Sequence, residues 1–438
     1  MYLLLPNQLF DIKYLDKTKH FILYEHPVFF SHKCRTTKFH INKLILHRAS
    51  MRYYYDYLKQ NNFTIDYICF NDKLPNTIKE LFHPHDKILE KQFKHCVMYD
   101  SPMFLHSVND LQEYKDTKDV LFHHIFKQWS ISKLGLSGLD KSYDIDNRNK
   151  IKDTSNIPQC NFKTLKDSKY VLEAKTYIEQ LKIKHYGYFN FIYPITHKDA
   201  FELLIHFLKY KLVNFGKFQD AITTDDNLIL YHSFLSSSLN IGLLTPQQVV
   251  NETIKYKSKV PIESYEGFLR QIVGWREYMR YIYIYHYNNL IASNHFNNTK
   301  KLPLQWYNNS FETNILPIDN CLEKVKKYGY LHHIERLMIL LNYMTLCEYN
   351  PKDICKWFLS CVSIDAYDWV MKTNVYIFSY AWRLASRKPY ISSSNYILKM
   401  SNYKKGEWST KWDKLYKEFL KIKKDKLKGT IYYAQIKP

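Results

Sequence analysis

The first part of the chain alternates short apolar runs with amphipathic stretches. Met1–Leu5 and Phe21–Tyr24 are almost wholly apolar, which is typical of strands buried on both faces of a parallel sheet. Residues 43–60 carry apolar side chains three and four positions apart and predict a helix, and Phe63–Ile68 predicts the next strand. The order strand, helix, strand predicts a doubly wound, Rossmann-like α/β domain, and the alternation fades near residue 125.

Beyond that point the pattern becomes polar and then helical. Residues 134–167 open with Gly135 and Gly138 and continue into the charged run 141–148, which favours an inter-domain connector. Apolar residues at helical spacing follow at 198–212, 246–257, 263–288, 320–346, 351–372 and 409–426. The predicted fold class is therefore α/β plus all-α. The α/β domain spans 1–128, the linker 129–175 and the large helical domain 176–438.

Size and charge narrow the function classes. A chain of 438 residues can bury a large core without disulfide or metal staples. The net charge of +21 favours a polyanionic partner, most commonly nucleic acid. The alternative explanation is an AT-rich genome, since Lys, Asn, Ile and Tyr are frequent and glycine is scarce.

Targeting and redox signals point to an intracellular protein. No segment approaches the roughly 20 apolar residues that span a bilayer, and residues 1–6 lack the features of a signal peptide. The eight cysteines include no Cys-x-x-Cys pair, which indicates reduced structural thiols and no zinc site. We expect a monomer in the cytoplasm or nucleus, without a membrane partner.

A pair of adjacent histidines is the strongest candidate for chemistry. If the run from Gly329 to Met338 is helical, Arg336 lies three positions from His333 and four from His332. Two imidazoles and a guanidinium could then share one patch, placing a proton donor beside an anion clamp. A single histidine on a helix is more often structural, but two in succession are a stronger signal.

Two further segments combine polar and aromatic residues in patterns suited to a ligand. Leu230–Gly242 places serine hydroxyls near a helix start, where free N–H groups bind phosphate, although a simple polar cap is the alternative. In the segment Gly267–Tyr278, Gln271 and Trp275 lie four positions apart and could line a cavity together. The alternative there is a core tryptophan beside a surface Arg–Glu pair.

Together with Lys388–Tyr390 and Ser394–Tyr396, these segments resemble the bacterial-type (6-4) photolyases, a branch of the photolyase/cryptochrome family that usually carries an iron-sulfur cluster. The resemblance covers nearly the whole chain. It implies light-dependent repair of UV-damaged DNA by an electron from excited, reduced FAD held in the helical domain. The lesion implied is the (6-4) photoproduct, with the cyclobutane dimer left open.

The resemblance also assigns roles to individual residues. His333 would donate a proton to the lesion beside His332, while Tyr390 and Tyr396 would hold the flipped bases. Trp357 would begin the electron path, continued by Trp369 or Trp306 because the adjacent Phe358 does not ionise easily. Glu25 would bind a lumazine-type antenna at a strand end. The implied FAD-binding residues are His232, Ser233, Leu235, Ser236, Leu239, Gln271, Trp275, Arg336, Asn374 and Arg383.

Two departures from the family pattern change the expectations. Cys321 matches the first cluster ligand, but Tyr403–Glu407 lacks the next two cysteines and none follows Cys361, so no iron-sulfur cluster is expected. A charge pair between Lys404 and Glu407 is the proposed local substitute.

The second departure lies along the flavin, where the family has small residues and an acid. Ile377–Ala385 brings Trp382, Arg383 and Leu384 instead. Arg383 would favour an anionic reduced flavin, whereas Trp382 and Leu384 would crowd its ring. The alternatives are therefore a cryptochrome-like blue-light photoreceptor and a photolyase-like DNA-binding protein without flavin.

Overall fold

The computed structural model describes residues 1–35, 38–139, 141–143, 148–160, 165–362 and 364–436. Its main sheet has five parallel strands in the order β4-β2-β1-β5-β6, and a separate parallel pair joins β3 to β7. The predicted strands at the start of the chain are confirmed. The strands are β1 (Tyr2–Leu4), β2 (His20–Tyr24), β3 (Phe39–His40), β4 (Thr64–Ile68), β5 (Glu80–Phe82), β6 (Val97–Tyr99) and β7 (His185–Tyr186).

The central strand explains why the sheet forms. Every residue of β1 is buried, and its register pairs Leu3 with Ile22 on one side and with Leu81 on the other. An apolar strand of this kind is stable only when both faces are covered. Helices α1 to α5 occur in this part of the chain, and α5 packs against α1. They are α1 (Ile41–Gln60), α2 (Lys87–Gln92), α3 (Val108–Thr117), α4 (His123–Lys133) and α5 (Lys169–Gln180).

The rest of the chain is helical, as the spacing predicted. Residues 144–147 and 161–164 of the predicted connector lie outside the described residues. The helices that follow are α6 (His197–His206), α7 (Leu212–Phe218), α8 (Ser236–Ile241), α9 (Pro246–Ile254), α10 (Ile262–Leu269), α11 (Glu277–Tyr285), α12 (Tyr287–Ala292), α13 (Leu316–Tyr328), α14 (Asn342–Leu346), α15 (Pro351–Trp357), α16 (Asp368–Phe378), α17 (Ser394–Met400) and α18 (Glu407–Ile422). In the part of the chain that is described, no helix has the length and apolar character of a membrane span.

Two of the predicted helices are interrupted. The predicted helix 320–346 was wrong in its continuity, because α13 ends at Gly329, which has a φ of 68°. A Cβ at that position would lie 2.8 Å from the ring of His40, so space as well as conformation favours glycine there. The chain resumes helical structure at His333 and continues through a π-helical stretch, Glu335–Leu341. The predicted helix 351–372 likewise breaks before Asp368, where α16 begins.

A buried ion cluster joins the sheet to the helical part. Arg35 donates to Asp86, which follows β5 (Nη2 to Oδ2, 2.5 Å), and to Asp368 at the start of α16. Lys372 lies 3.1 Å from Asp368, and the Tyr283 hydroxyl donates to the same carboxylate at 2.6 Å. Two acids and two bases therefore balance in an environment with little water, where each charge depends on its partners.

Two buried histidines of α1 and its N-cap predict how stability depends on pH. His40 donates to the Lys326 carbonyl at 3.0 Å, and His47 donates to the Phe29 carbonyl at 3.1 Å. Burial lowers the pKa of His40 to about 4 and that of His47 to about 3. In the unfolded chain a histidine has a pKa near 6.5, so between that pH and the folded pKa the unfolded state binds more protons than the folded state. Over this range each histidine lowers the free energy of unfolding by up to about 1.4 kcal/mol for each pH unit of acidification.

We expect the urea midpoint of the protein to fall steadily as the pH drops from about 6.5 to about 4.5, and to change little between pH 7 and 8. Denaturation followed by circular dichroism at each pH measures this. A midpoint that stays constant on acidification would show that these imidazoles do not remain neutral in the folded protein.

Candidate functional site

Serine hydroxyls at the start of α8 form a polar cradle. Ser237 and Ser238 are buried, and their Oγ atoms have no hydrogen-bond partner among the described residues. No side chain caps the first N–H groups of this short helix. Buried hydroxyls without partners are unusual, and an acceptor placed beside them would satisfy them. The cradle therefore suits a phosphate or a similar anion.

The serines that the sequence singled out lie at the edge of this cradle. Ser233 accepts a hydrogen bond from the Leu235 N–H at 3.5 Å, and Ser236 lies beside the hydroxyl of Tyr330. Leu239 is buried in the core, as is Leu235. Three consecutive serines give no sequence signal for which hydroxyls point inward, so Ser237 and Ser238 could not be chosen from the pattern alone.

Arg276 brings a positive charge to the later part of α8. Its Nη1 donates to Asn240 Oδ1 at 2.5 Å, and the Asn240 amide in turn donates to the Asp365 carbonyl at 2.7 Å. Burial lowers the pKa of Arg276 to about 10, since the attraction of Glu277 only partly offsets it. Glu277 is fully buried and accepts from backbone N–H groups, so the alternative of a surface Arg–Glu pair is wrong.

The two adjacent histidines have different surroundings. His332 precedes the helix, is fully buried and stacks on His232, with ring centroids 4.6 Å apart. Its Nε2 lies 3.3 Å from Glu335. Burial lowers its pKa well below the usual range, so His332 is neutral at physiological pH. The prediction that both imidazoles share a helical face was wrong, because α13 ends at Gly329.

Arg336 is already paired within the protein. Its Nη2 lies 2.9 Å from Asp365 Oδ1, and its Nε donates to the Leu331 carbonyl at 2.6 Å. The guanidinium also lies over the ring of Tyr330, 4.7 Å from the centroid. Asp365 thus connects Arg336 with Asn240 and the cradle. It was missed by the sequence reasoning, although a carboxylate within an apolar run was a usable signal.

Aromatic rings form a continuous wall beside His333. Trp275 stacks face to face on His123, with centroids 3.8 Å apart and planes within 7°, and it also contacts Phe378 at 5.6 Å. Phe378 also contacts Tyr390 at 5.0 Å and His333 at 5.7 Å, both edge to face. The wall therefore brings together three predicted site residues, while His123 and Phe378 were not predicted.

His333 is the solvent-accessible member of this wall. Its side chain is exposed, yet loss of hydration within the surrounding protein, followed by the nearby charge of Arg336, lowers its pKa to about 4. Two predicted amides, Gln271 and Asn374, are half-buried and donate to the Gly267 and Val370 carbonyls of their own helices.

The altered segment after α16 does not occupy the positions expected of it. Trp382 is buried near His286, with centroids 6.0 Å apart. Arg383 is exposed, and its charge acts on His295 and Tyr380. Leu384 is 53% exposed. The bulky side chain that reaches the aromatic wall is Phe378.

Helix α18 and the segment after it hold the loop that carries Tyr390. The N–H and hydroxyl of Ser394 donate to the Asp413 carboxylate at 2.8 and 2.9 Å. The Trp412 indole donates to the Ser392 carbonyl at 3.0 Å. Tyr396, the other predicted lesion-pocket tyrosine, donates to Asp220 Oδ2 at 3.3 Å.

Replacing Asp413 with alanine removes both acceptors for Ser394, and we expect a looser loop with little effect on the rest of the fold. If the chain binds damaged DNA as the family resemblance implies, its affinity for duplex DNA carrying a photoproduct should fall about 5- to 30-fold, the equivalent of one to two lost hydrogen bonds, while its affinity for undamaged duplex changes little. Parallel titrations by fluorescence anisotropy measure both affinities. An equal loss for the two DNAs would contradict a role for Asp413 in positioning the loop.

A chain of aromatic contacts leads away from Trp357. Its indole donates to the Trp306 carbonyl at 2.7 Å, and the two rings lie 5.1 Å apart. Trp306 lies 6.3 Å from Tyr343, which lies 5.9 Å from Trp412. Trp369 lies elsewhere, against Phe104 and Arg276. Of the two residues considered for the next position after Trp357, Trp306 is therefore the one in ring contact with it.

Glu25 is fully buried and already accepts four hydrogen bonds. The donors are Arg48 at 2.7 Å, the hydroxyls of Tyr67 and Tyr177 at 2.5 and 2.8 Å, and the Phe70 N–H at 2.9 Å. A groove of about 420 Å³, lined in part by Tyr177, adjoins this network. A ligand that contacts the carboxylate would have to displace one of these donors.

Cys321 lies in the core rather than in a thiolate cluster. It is buried, and burial together with the nearby charge of Glu335 raises its pKa well above the usual range. Within the described residues, no group of three or more histidine, cysteine or acidic side chains has the arrangement of a metal site. The ion pair found for Glu407 is with Lys411 at 3.9 Å, not with Lys404 as expected.

Comparison with known proteins identifies relatives of the chain. A family model described as deoxyribodipyrimidine photo-lyase-related protein matches residues 2–193. The (6-4) photolyase of Agrobacterium fabrum is 36% identical over 264 residues, which cover 56% of this chain and 50% of that protein. An uncharacterized protein of Acanthamoeba polyphaga mimivirus is 49% identical over 104 residues, or 22% of this chain and 83% of the relative. The chain thus spans about half of the length of the photolyase that it matches.

Solved structures share the architecture. A bacterial class III photolyase from Agrobacterium tumefaciens superposes with a TM-score of 0.57 at 13% identity, covering 100% of this chain and 89% of that chain. A cryptochrome from Synechocystis gives 0.51 at 12% identity, covering 98% and 89%. The predicted fold class, an α/β domain followed by a helical domain, is confirmed.

Proposed function

The chain belongs to the photolyase/cryptochrome family, and from this premise we propose that it repairs UV-induced pyrimidine photoproducts in DNA, of the (6-4) type, in a light-dependent reaction. The observation that carries the proposal is the aromatic wall of Trp275, Phe378 and Tyr390, with the accessible imidazole of His333 at its edge. A damaged pyrimidine pair must leave the duplex to react, and rings of this kind hold flipped bases by stacking.

The polar residues behind the wall fit FAD. Ser237 and Ser238 offer unpartnered buried hydroxyls, and Arg276 offers a cation to a diphosphate. Gln271 and Asn374 are half-buried amides on the helices that carry Trp275 and Phe378. When bound and reduced, FAD would supply an electron to the lesion after absorbing light.

His333 would act on the lesion by proton donation. Because its pKa in the free protein is about 4, the imidazole is neutral at pH 7 and donates a hydrogen bond through its N–H. Negative charge brought by DNA phosphates and by a reduced lesion raises the pKa of a neighbouring imidazole, which favours the protonated form during the reaction. His332 is buried and neutral, and its ring stacks on His232 rather than facing the wall.

A direct test uses the full chain loaded with FAD and short duplexes that carry a single (6-4) photoproduct, a single cyclobutane dimer or no damage. We expect blue light to restore the (6-4) duplex and darkness to restore nothing. Restoration of the cyclobutane duplex alone would refute the assigned lesion. Failure with both lesions, in protein shown to contain flavin, would refute repair.

One feature favours a second candidate, a photolyase-like DNA-binding protein without flavin. Phe378 contacts Trp275, His333 and Tyr390 at once, and its ring fills the space between these three side chains. The family segment that this part of the sequence resembles has a methionine at the position of Phe378. Substitution of Phe378 by methionine distinguishes the two. If the ring excludes flavin, the variant binds FAD and the unmodified protein does not.

A further inference from the structure

The outer face of α18 carries a row of lysines. Between Lys404 and Lys428 the chain has ten lysines and four acidic residues. Lys411, Lys414, Lys417 and Lys421 are exposed and three or four positions apart, so they lie along one side of the helix over about 15 Å. The opposite side packs into the core through Trp408, Trp412, Tyr416 and Phe419.

Few acidic groups neutralise this face. Glu407 pairs with Lys411 at 3.9 Å, and Glu418 is exposed on the same side of the helix. The third acid of the helix, Asp413, points inward and accepts from Ser394. Beyond the helix, the exposed Asp425 pairs with Lys428 at 2.8 Å. Lys414, Lys417, Lys421 and Lys424 still outnumber the acids Glu418 and Asp425 along this stretch.

The same helix also positions the candidate lesion loop. Trp412 and Asp413 bind Ser392 and Ser394, and the hydroxyl of Tyr432, from the segment after the helix, donates to the Pro389 carbonyl at 3.0 Å. A rigid element thus presents lysines outward and holds the Tyr390 loop inward. The lysines and the loop are therefore fixed relative to one another by the same helix.

We propose that this lysine face, Lys414, Lys417, Lys421 and Lys424, binds the sugar-phosphate backbone of duplex DNA next to the lesion. The inference rests on the proposed function for its partner. Lysine binds phosphate as a point charge without reading bases, so the contact is independent of sequence and of damage. Each phosphate neutralised releases counterions, which makes the affinity depend on salt.

The test replaces these four lysines with glutamine and compares the variant with a control in which Lys59, Lys91, Lys94 and Lys118, exposed lysines of the α/β part, become glutamine. Both variants lose four positive charges. Dissociation constants for undamaged duplex are measured in the dark over a range of KCl concentrations, after circular dichroism shows that each variant is folded.

We expect the slope of log affinity against log salt to become shallower by about 3 in the α18 variant, at about 0.9 for each phosphate contact, and by less than about 1 in the control. Equal changes in the two variants would show that only net charge matters and would overturn the proposal. So would an unchanged slope in the α18 variant.

A parallel measurement with phosphatidylserine-containing vesicles identifies the partner. If the α18 variant loses vesicle binding but keeps the wild-type slope with DNA, the face binds membranes and the proposal is wrong. Because undamaged DNA in the dark requires neither flavin nor chemistry, this result is independent of the repair assay. A protein that fails to repair can still show the slope change, and one that repairs can fail to show it.

Discussion

Replacing His333 with alanine is expected to lower the rate of light-dependent repair about 100-fold or more, the usual contribution of a positioned general acid. The side chain is exposed beside Phe378, so its removal leaves the core intact and FAD content unchanged. Repair of a single-lesion duplex under blue light, with flavin measured in the same preparation, gives the rate per loaded enzyme.

The matched control for this variant is His124→Ala, an exposed histidine of α4 outside the aromatic wall, which should repair at the wild-type rate. A His333→Ala protein that contains flavin and repairs as fast as the wild type would exclude proton donation by this residue. A variant that loses flavin together with activity would instead assign His333 to cofactor binding.

Replacing Arg35 with alanine should have the largest effect on stability, a loss of about 3–5 kcal/mol in the free energy of unfolding. Asp86 and Asp368 would remain buried without the guanidinium that both of them contact. Lys372 and Tyr283 still reach Asp368, but burial already raises the pKa of Asp86 to about 6, and loss of Arg35 raises it further. Urea denaturation at pH 7 measures the difference.

Arg387→Ala provides the control for charge alone, since this exposed arginine lies over the ring of Phe122 and should contribute less than about 1 kcal/mol. Adding Asp86→Asn to Arg35→Ala should recover part of the loss, because one uncompensated charge disappears. If Arg35→Ala unfolds within about 1 kcal/mol of the wild type, the cluster does not hold the sheet to α16.

How well the sequence predicted each element of the fold depends on whether neighbouring residues or residues distant in sequence determine that element. The buried strands were predicted because a run such as Phe21–Tyr24 is apolar on both faces, which few other structures permit. The break after α13 was missed, because apolar spacing continues on both sides of Gly329 and outweighed the helix-stop signal of a glycine that follows two lysines. The approach of His40, far away in sequence, adds a tertiary reason for glycine at this position. Helical periodicity does not report such tertiary constraints.

The candidate site likewise contains residues that local motifs predicted and residues that they did not. Trp275, His333 and Tyr390 were chosen from local motifs, and the structure brings them to one wall. His123 acts through a partner distant in sequence, so no spacing rule could select it, whereas Asp365 could have been noticed as a carboxylate within an apolar run although its partner Arg336 is also distant.

The altered segment, Ile377–Ala385, shows most directly what could not be predicted from the sequence. Its largest and most charged members, Trp382 and Arg383, drew attention, but the residue that contacts the wall is Phe378. Phe378 is the last residue of α16 and contacts the wall from the helix, whereas Trp382 and Arg383 lie beyond the turn in which the Trp382 N–H donates to the Tyr376 carbonyl at 2.8 Å. Composition alone carries no information about that turn.

Flavin content of the purified full-length protein tests the central claim most directly. Its absorption spectrum, together with the FAD released on denaturation, should show close to one FAD per chain, either as isolated or after incubation with the cofactor. A folded, colourless protein that takes up no FAD would mean that the cradle at Ser237 and the wall at Phe378 do not form a cofactor site, and light-driven repair would then be excluded.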